Sequence, residues 1–149
     1  MQGGVACLIA VNGPQYNPKN TVLPGDEPLT VPIYKKNIAI YKESLRPLIR
    51  EANLYHILPR PDGVQWDGIE YYDAEKGKGS VMLYKPALSG GNNKNILLKG
   101  LDENRIYRFE FTDRPEQNLS MTGFAAMKSG LPVEMTGELV SEIILFYGR

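Results

Sequence analysis

At 149 residues the chain is long enough for one ordinary domain with its own core, and too short for a complete (β/α)₈ barrel, which takes roughly 250 residues. Its 17 basic side chains are matched by 17 acidic ones, and no Lys/Arg cluster alternates with aromatics, so nucleic acid is not an expected partner. The single cysteine, Cys7, rules out an internal disulfide and a cysteine-rich metal site, while 15 glycines and 11 prolines cut the chain into the short segments of a turn-rich all-β domain.

In chain order, the apolar run at 5–11 is too short to cross a bilayer, which takes about 20 residues, and no basic residue precedes it as in a secretory signal. No membrane partner is expected. Pro14, Pro18, Pro24, Pro28 and Pro32 exclude regular helix, so residues 1–32 read as an extended Pro-rich arm.

From Tyr34 the apolar residues recur four and three apart, at Tyr34, Ile38, Tyr41, Leu45, Leu48, Ala52 and Tyr55, with Lys35, Lys36, Lys42, Glu43, Arg46 and Arg50 between them. This spacing predicts an amphipathic helix, with Thr30 as a start signal, inside a lead-in at 33–58. Pro47 removes a backbone donor and crowds the preceding turn, so the helix is expected to kink or restart near Arg46. The apolar stripe needs a partner, either the β domain or a neighbouring domain.

After Pro59 and Pro61 the texture becomes β-prone, with runs at 64–72, 80–84, 95–98, 106–111, 119–126 and 139–147 separated by turn clusters. Six such runs predict an antiparallel β-sandwich over 59–149, with Greek-key-like connections. A tight polar turn at 101–107 delivers Tyr107 into a strand, as at sandwich corners where a phenol bonds nearby backbone; that role and plain core packing are both open.

Candidate chemistry is sparse. His56 is the only histidine, which excludes a two-histidine metal site, and no serine sits in a nucleophile-elbow motif. Asp67 and Glu70 are the tempting acid pair for glycoside hydrolysis, but three residues apart on a strand they point to opposite faces. Gly77 and Gly79 suit a hairpin better than a phosphate loop. No catalytic residue, metal or cofactor is expected. Trp66, Tyr71 and Tyr72 concentrate aromatic surface on one strand, with Trp66 and Tyr72 on one face and Tyr71 on the other; such rings either stack on a sugar or fill a core.

Several stretches together resemble the end of the family-36 glycoside hydrolases of α-galactosidase type: IYKESLRPLI at 40–49 with LYHIL at 54–58, WDGIEYY at 66–72, LLKGLD at 97–102 leading to Tyr107, and LSMTG at 119–123 with MKSGLP at 127–132. The resemblance covers residues 38–149. It implies that 33–58 contains the last helix of a catalytic barrel and that 59–149 is the carboxyl-terminal antiparallel β-sandwich. The family's catalytic aspartates lie on barrel strands, so none is carried over. The implied function is a non-catalytic accessory domain that stabilises and orients the barrel of an α-galactosidase-like parent, met through Tyr34, Ile38, Tyr41, Leu45 and Leu48. A carbohydrate-binding module using Trp66, Tyr71 and Tyr72 is the alternative.

Overall fold

The amphipathic stripe is helical from 35 to 51 in the computed structural model of the protein, which describes residues 35–137 and 140–149. Helix α1 covers residues 35–51, α-helical at 35–40, π-helical at Tyr41–Leu45 and α-helical again at Arg46–Glu51. The Arg46 N–H donates to the Tyr41 carbonyl, five residues back. Pro47 accounts for the wide turn: it has no N–H, and its ring would crowd the Glu43 carbonyl in a regular α-helix. The break expected near Arg46 therefore takes the form of a π turn.

The chain divides into two units between Arg46 and Pro47. Among the described residues of the first, Leu45 is buried, Tyr41 half-buried and Ile38 exposed. Tyr34 and the arm expected at 1–32 lie outside the described residues.

The second unit is built on antiparallel strands. These are β1 (Asn53–His56), β2 (Asp67–Asp73), β3 (Lys78–Lys85), β4 (Asn93–Ile96), β5 (Ile106–Phe111), β6 (Leu119–Thr122), β7 (Leu131–Glu134) and β8 (Val140–Gly148). Six of them form one sheet in the order β1-β2-β3-β8-β5-β6, and β4 pairs with β7 in a second. The last strand is inserted between β3 and β5, so the connections cross over as in a Greek key, and the fold is a sandwich-like all-β one.

Alternation along the large sheet decides what is inside. The cross-strand rows Tyr72–Gly79–Phe146–Phe109 and Glu70–Val81–Ile144–Phe111 face the core. Ile96, Leu98, Leu101, Ala126, Leu131, Val133 and Met135 complete that core. Each large apolar side chain removed from water there contributes about 1.5–3 kcal/mol. Gly79 is required by the packing, because a Cβ at that position would run into the Phe146 ring.

Four local expectations are corrected. The strand expected at 64–72 begins at Asp67 rather than Val64, because the Asp62 carboxylate takes the N–H groups of Val64 and Gln65 at 2.8 and 2.7 Å and turns the chain. The helical stripe stops after Glu51, and Leu54 and Tyr55 belong to β1, paired with β2. The run at 119–126 is a strand only to Thr122, whose hydroxyl accepts the Ala125 N–H at 3.2 Å and caps a short helix α2, Gly123–Lys128. Residues expected to form a turn around Pro132 are instead strand β7. Proline is tolerated there because the strand is an edge and its missing N–H would have pointed outward. The Gln117 amide covers the rest of that edge, accepting the Glu134 N–H at 3.0 Å and donating to the Glu134 carbonyl at 2.9 Å.

Candidate functional site

Strand β2 carries Asp67, Glu70, Tyr71 and Tyr72, with Trp66 just ahead of it, and its burial alternates strictly. Gly68, Glu70 and Tyr72 face the core, while Asp67, Ile69, Tyr71 and Asp73 are half-buried on the other face. Asp67 and Glu70 thus do not meet across a cleft, as their spacing required. Trp66 is 3% exposed and Tyr72 1%, leaving Tyr71 as the partly accessible ring of the three.

Tyr72 is committed to a buried aromatic cluster. Its ring stacks on Phe146 at 5.8 Å and meets Tyr107 edge-on at 6.0 Å. The hydroxyls of Tyr72 and Tyr107 share a hydrogen bond at 2.6 Å, and the Tyr107 oxygen accepts the Asp102 N–H at 3.1 Å. Tyr107 therefore performs the corner role left open by the sequence, bonding backbone a few residues upstream. Burial, together with the bond to Tyr107, pushes the Tyr72 hydroxyl above its ordinary pKa, so Tyr72 serves here as a structural link.

Two acids are wholly buried on the core side of the sheet, Glu70 on β2 and Glu142 on β8, with β3 between them. The Oε2 atom of Glu70 accepts the Lys99 N–H at 2.8 Å, while Oε1 has no partner among the described residues. Burial pushes its carboxyl up to about 8, against the opposing pull of Lys99. Glu142 is better supplied. Its Oε1 accepts from Thr112 Oγ1 at 3.2 Å and the Asp113 N–H at 3.1 Å, and Oε2 meets the Arg114 guanidinium at 2.6 Å. Burial still holds this carboxyl above its ordinary range.

Raised carboxyls in a cleft are what glycoside hydrolysis uses, but these two are closed off from solvent. Their chemistry is structural: Glu70 ties down the segment at Lys99, and Glu142 ties down residues 112–114. Sequence reasoning did not single out Glu142, although its even spacing from the apolar Ile144 and Phe146 marks it as core-facing. His56 is exposed on β1, and among the described residues no group of three or more His, Cys, Asp or Glu could hold a metal ion. No helix among them is long and apolar enough to cross a membrane.

No protein-family model matches the sequence, and no curated protein matches it. Solved structures do match. The galactosidase domain of the α-galactosidase–sucrose kinase AgaSK is 20% identical with a TM-score of 0.67, over 91% of this chain and 17% of that one. The GH36 α-galactosidase AgaB from Geobacillus stearothermophilus is 21% identical with a TM-score of 0.65, over 89% and 17%. The α-galactosidase from Lactobacillus brevis is 16% identical with a TM-score of 0.63, over 91% and 18%. The likeness is one of fold. The chain spans about a sixth of the length of these enzymes.

Proposed function

We propose that the chain is a non-catalytic accessory domain of a larger α-galactosidase-like glycoside hydrolase, which it stabilises and orients at the catalytic barrel. The observation that carries this reading is the breadth of the fold match: about nine-tenths of this chain superimposes on about one-sixth of each α-galactosidase. The site chemistry supports it, since the acids with raised pKa values are sealed in the core, where no glycosidic oxygen can reach them.

In this reading the lead-in 33–58 contains the last helix of the barrel, which ends at Glu51 and is followed by the sandwich's strand β1, while 59–149 forms the rest of the sandwich and 1–32 an arm. The helix face of Tyr34, Ile38, Tyr41, Leu45 and Leu48 meets the barrel, and the exposure of Ile38, 44%, suits a side chain awaiting such a partner.

The test has two arms. The isolated chain is expected to show no turnover of a chromogenic α-galactoside, and measurable turnover abolished by a specific substitution would sink the reading. In the parent enzyme, Ile38→Asp is expected to lower Tm and to lower activity through loss of folded enzyme. An unchanged Tm would remove the helix face from the interface.

A further inference from the structure

The outward face of the small sheet carries a groove of about 330 Å³. Its centre is a square of four exposed side chains set by the β4–β7 register, Asn93 opposite Glu134 and Asn95 opposite Pro132. The Glu134 backbone N–H is turned outward to Gln117, so the Asn93–Glu134 pair is not joined by ladder hydrogen bonds. In such pairs the strands approach closely, at about 4.5 Å between Cα atoms, and the side chains stand side by side. The second row follows about 7 Å along the strand. Half-buried Leu119 borders the square, whereas Lys94 and Val133, paired with each other, alternate to the opposite face of the sheet.

The functional groups here are unspent. Among the described residues, no hydrogen bond or ion pair engages the side chains of Asn93, Asn95 or Glu134. Two carboxamides supply donors and acceptors together, and the carboxylate supplies acceptors. The one charged side chain on this face is the Glu134 carboxylate, which repels an anion and accepts from hydroxyls. Prolyl and leucyl carbons provide an apolar patch beside these polar groups. Neighbouring donors and acceptors next to a small apolar surface complement a molecule with adjacent hydroxyls on one side and C–H bonds on the other.

We propose that this groove binds a neutral saccharide, with Asn93 and Glu134 clasping adjacent hydroxyls, Asn95 reaching the next and Pro132 with Leu119 lying under the C–H face. The site is separate from Trp66, Tyr71 and Tyr72. Binding is expected to be weak, because all four central side chains are exposed and must be ordered by the ligand.

The experiment is an amide NMR titration of the full chain with galactose and melibiose, and in parallel with methyl glucoside and methyl mannoside. Only the choice of galactosides as first probes rests on the proposed function. Saturable shifts are expected at Asn93, Lys94, Asn95, Glu134 and the Gln117 side-chain amide. Glu134→Gln, which keeps the backbone bonds to Gln117, and Asn93→Ala are each expected to weaken binding about tenfold, as loss of one hydrogen bond to a charged or paired group would. No saturable shift at these residues with any of the four sugars would overturn the proposal. Shifts centred on Tyr71 and unaffected by Glu134→Gln would overturn it equally. Neither outcome bears on the accessory-domain reading, which is judged by turnover and by the stability of the parent.

Discussion

Glu70 and Glu142 occupy equivalent positions, each fully buried on the core side of a central strand, and yet their surroundings differ in kind. Glu142 is met by a hydroxyl, a backbone N–H and a guanidinium, whereas Glu70 has one backbone N–H and one bare oxygen. An acid in the first setting has partners for its charge. An acid in the second is cheaper to keep protonated. The difference teaches that a buried carboxyl is stabilising or merely tolerated according to what the loops bring to it, since the strands treat both alike.

The largest expected effect comes from removing the partner that distinguishes them. Arg114→Ala leaves Glu142 buried without a cation, which is expected to cost about 3–5 kcal/mol where the acid is charged. Its carboxyl, already raised by burial, rises further, so the folded state holds a proton that the unfolded state releases. The loss should therefore be smaller at about pH 5 than at about pH 8 in urea unfolding. A cost independent of pH would mean that Arg114 acts through packing alone.

Glu70→Gln tests the poorer site and should act in the opposite direction. The folded carboxyl titrates at about 8 against an ordinary value of 4.5, so its contribution to stability is intact below the ordinary value. It is lost progressively as pH climbs towards the folded value. The amide never ionises and still accepts the Lys99 N–H. The variant is expected to be more stable than the wild type by about 2–4 kcal/mol at pH 8, discounted for relaxation of the site, and near parity at pH 4.5. Equal stability of the two proteins at pH 8 would refute the raised carboxyl.

How much of this was legible beforehand follows from the range of the interactions. Strand β5 was predicted at its observed limits, 106–111, because alternation and the preceding turn are local signals. Tyr107 could be placed at a corner for the same reason. Strand β7 was hidden by Pro132, a local signal for a turn that an edge position overrides, and β1 by an apolar spacing that continued the helix by coincidence. The faces of Asp67 and Glu70 were correctly separated by parity. Whether Glu70 finds partners depends on Lys99, and whether Glu142 does depends on Arg114, each nearly thirty residues away along the chain. The groove is less legible still, since Asn93 and Glu134 become neighbours only through the pairing of β4 with β7.

The smallest expected effect isolates the weakest of Glu142's contacts. Thr112→Val keeps the shape and β-branching of the side chain but removes the hydroxyl that donates to Oε1 at 3.2 Å. The Thr112 N–H still bonds the Ile143 carbonyl at 3.0 Å, so the loop keeps its path. Oε1 retains the Asp113 N–H and Oε2 retains Arg114, so no charge is stranded and the expected cost is about 0.5–1 kcal/mol, with little change in its pH dependence. A cost matching that of Arg114→Ala would show that hydrogen bonding as a set, rather than the opposing charge, separates this acid from Glu70. A small, pH-independent cost would leave the guanidinium as the group that does so.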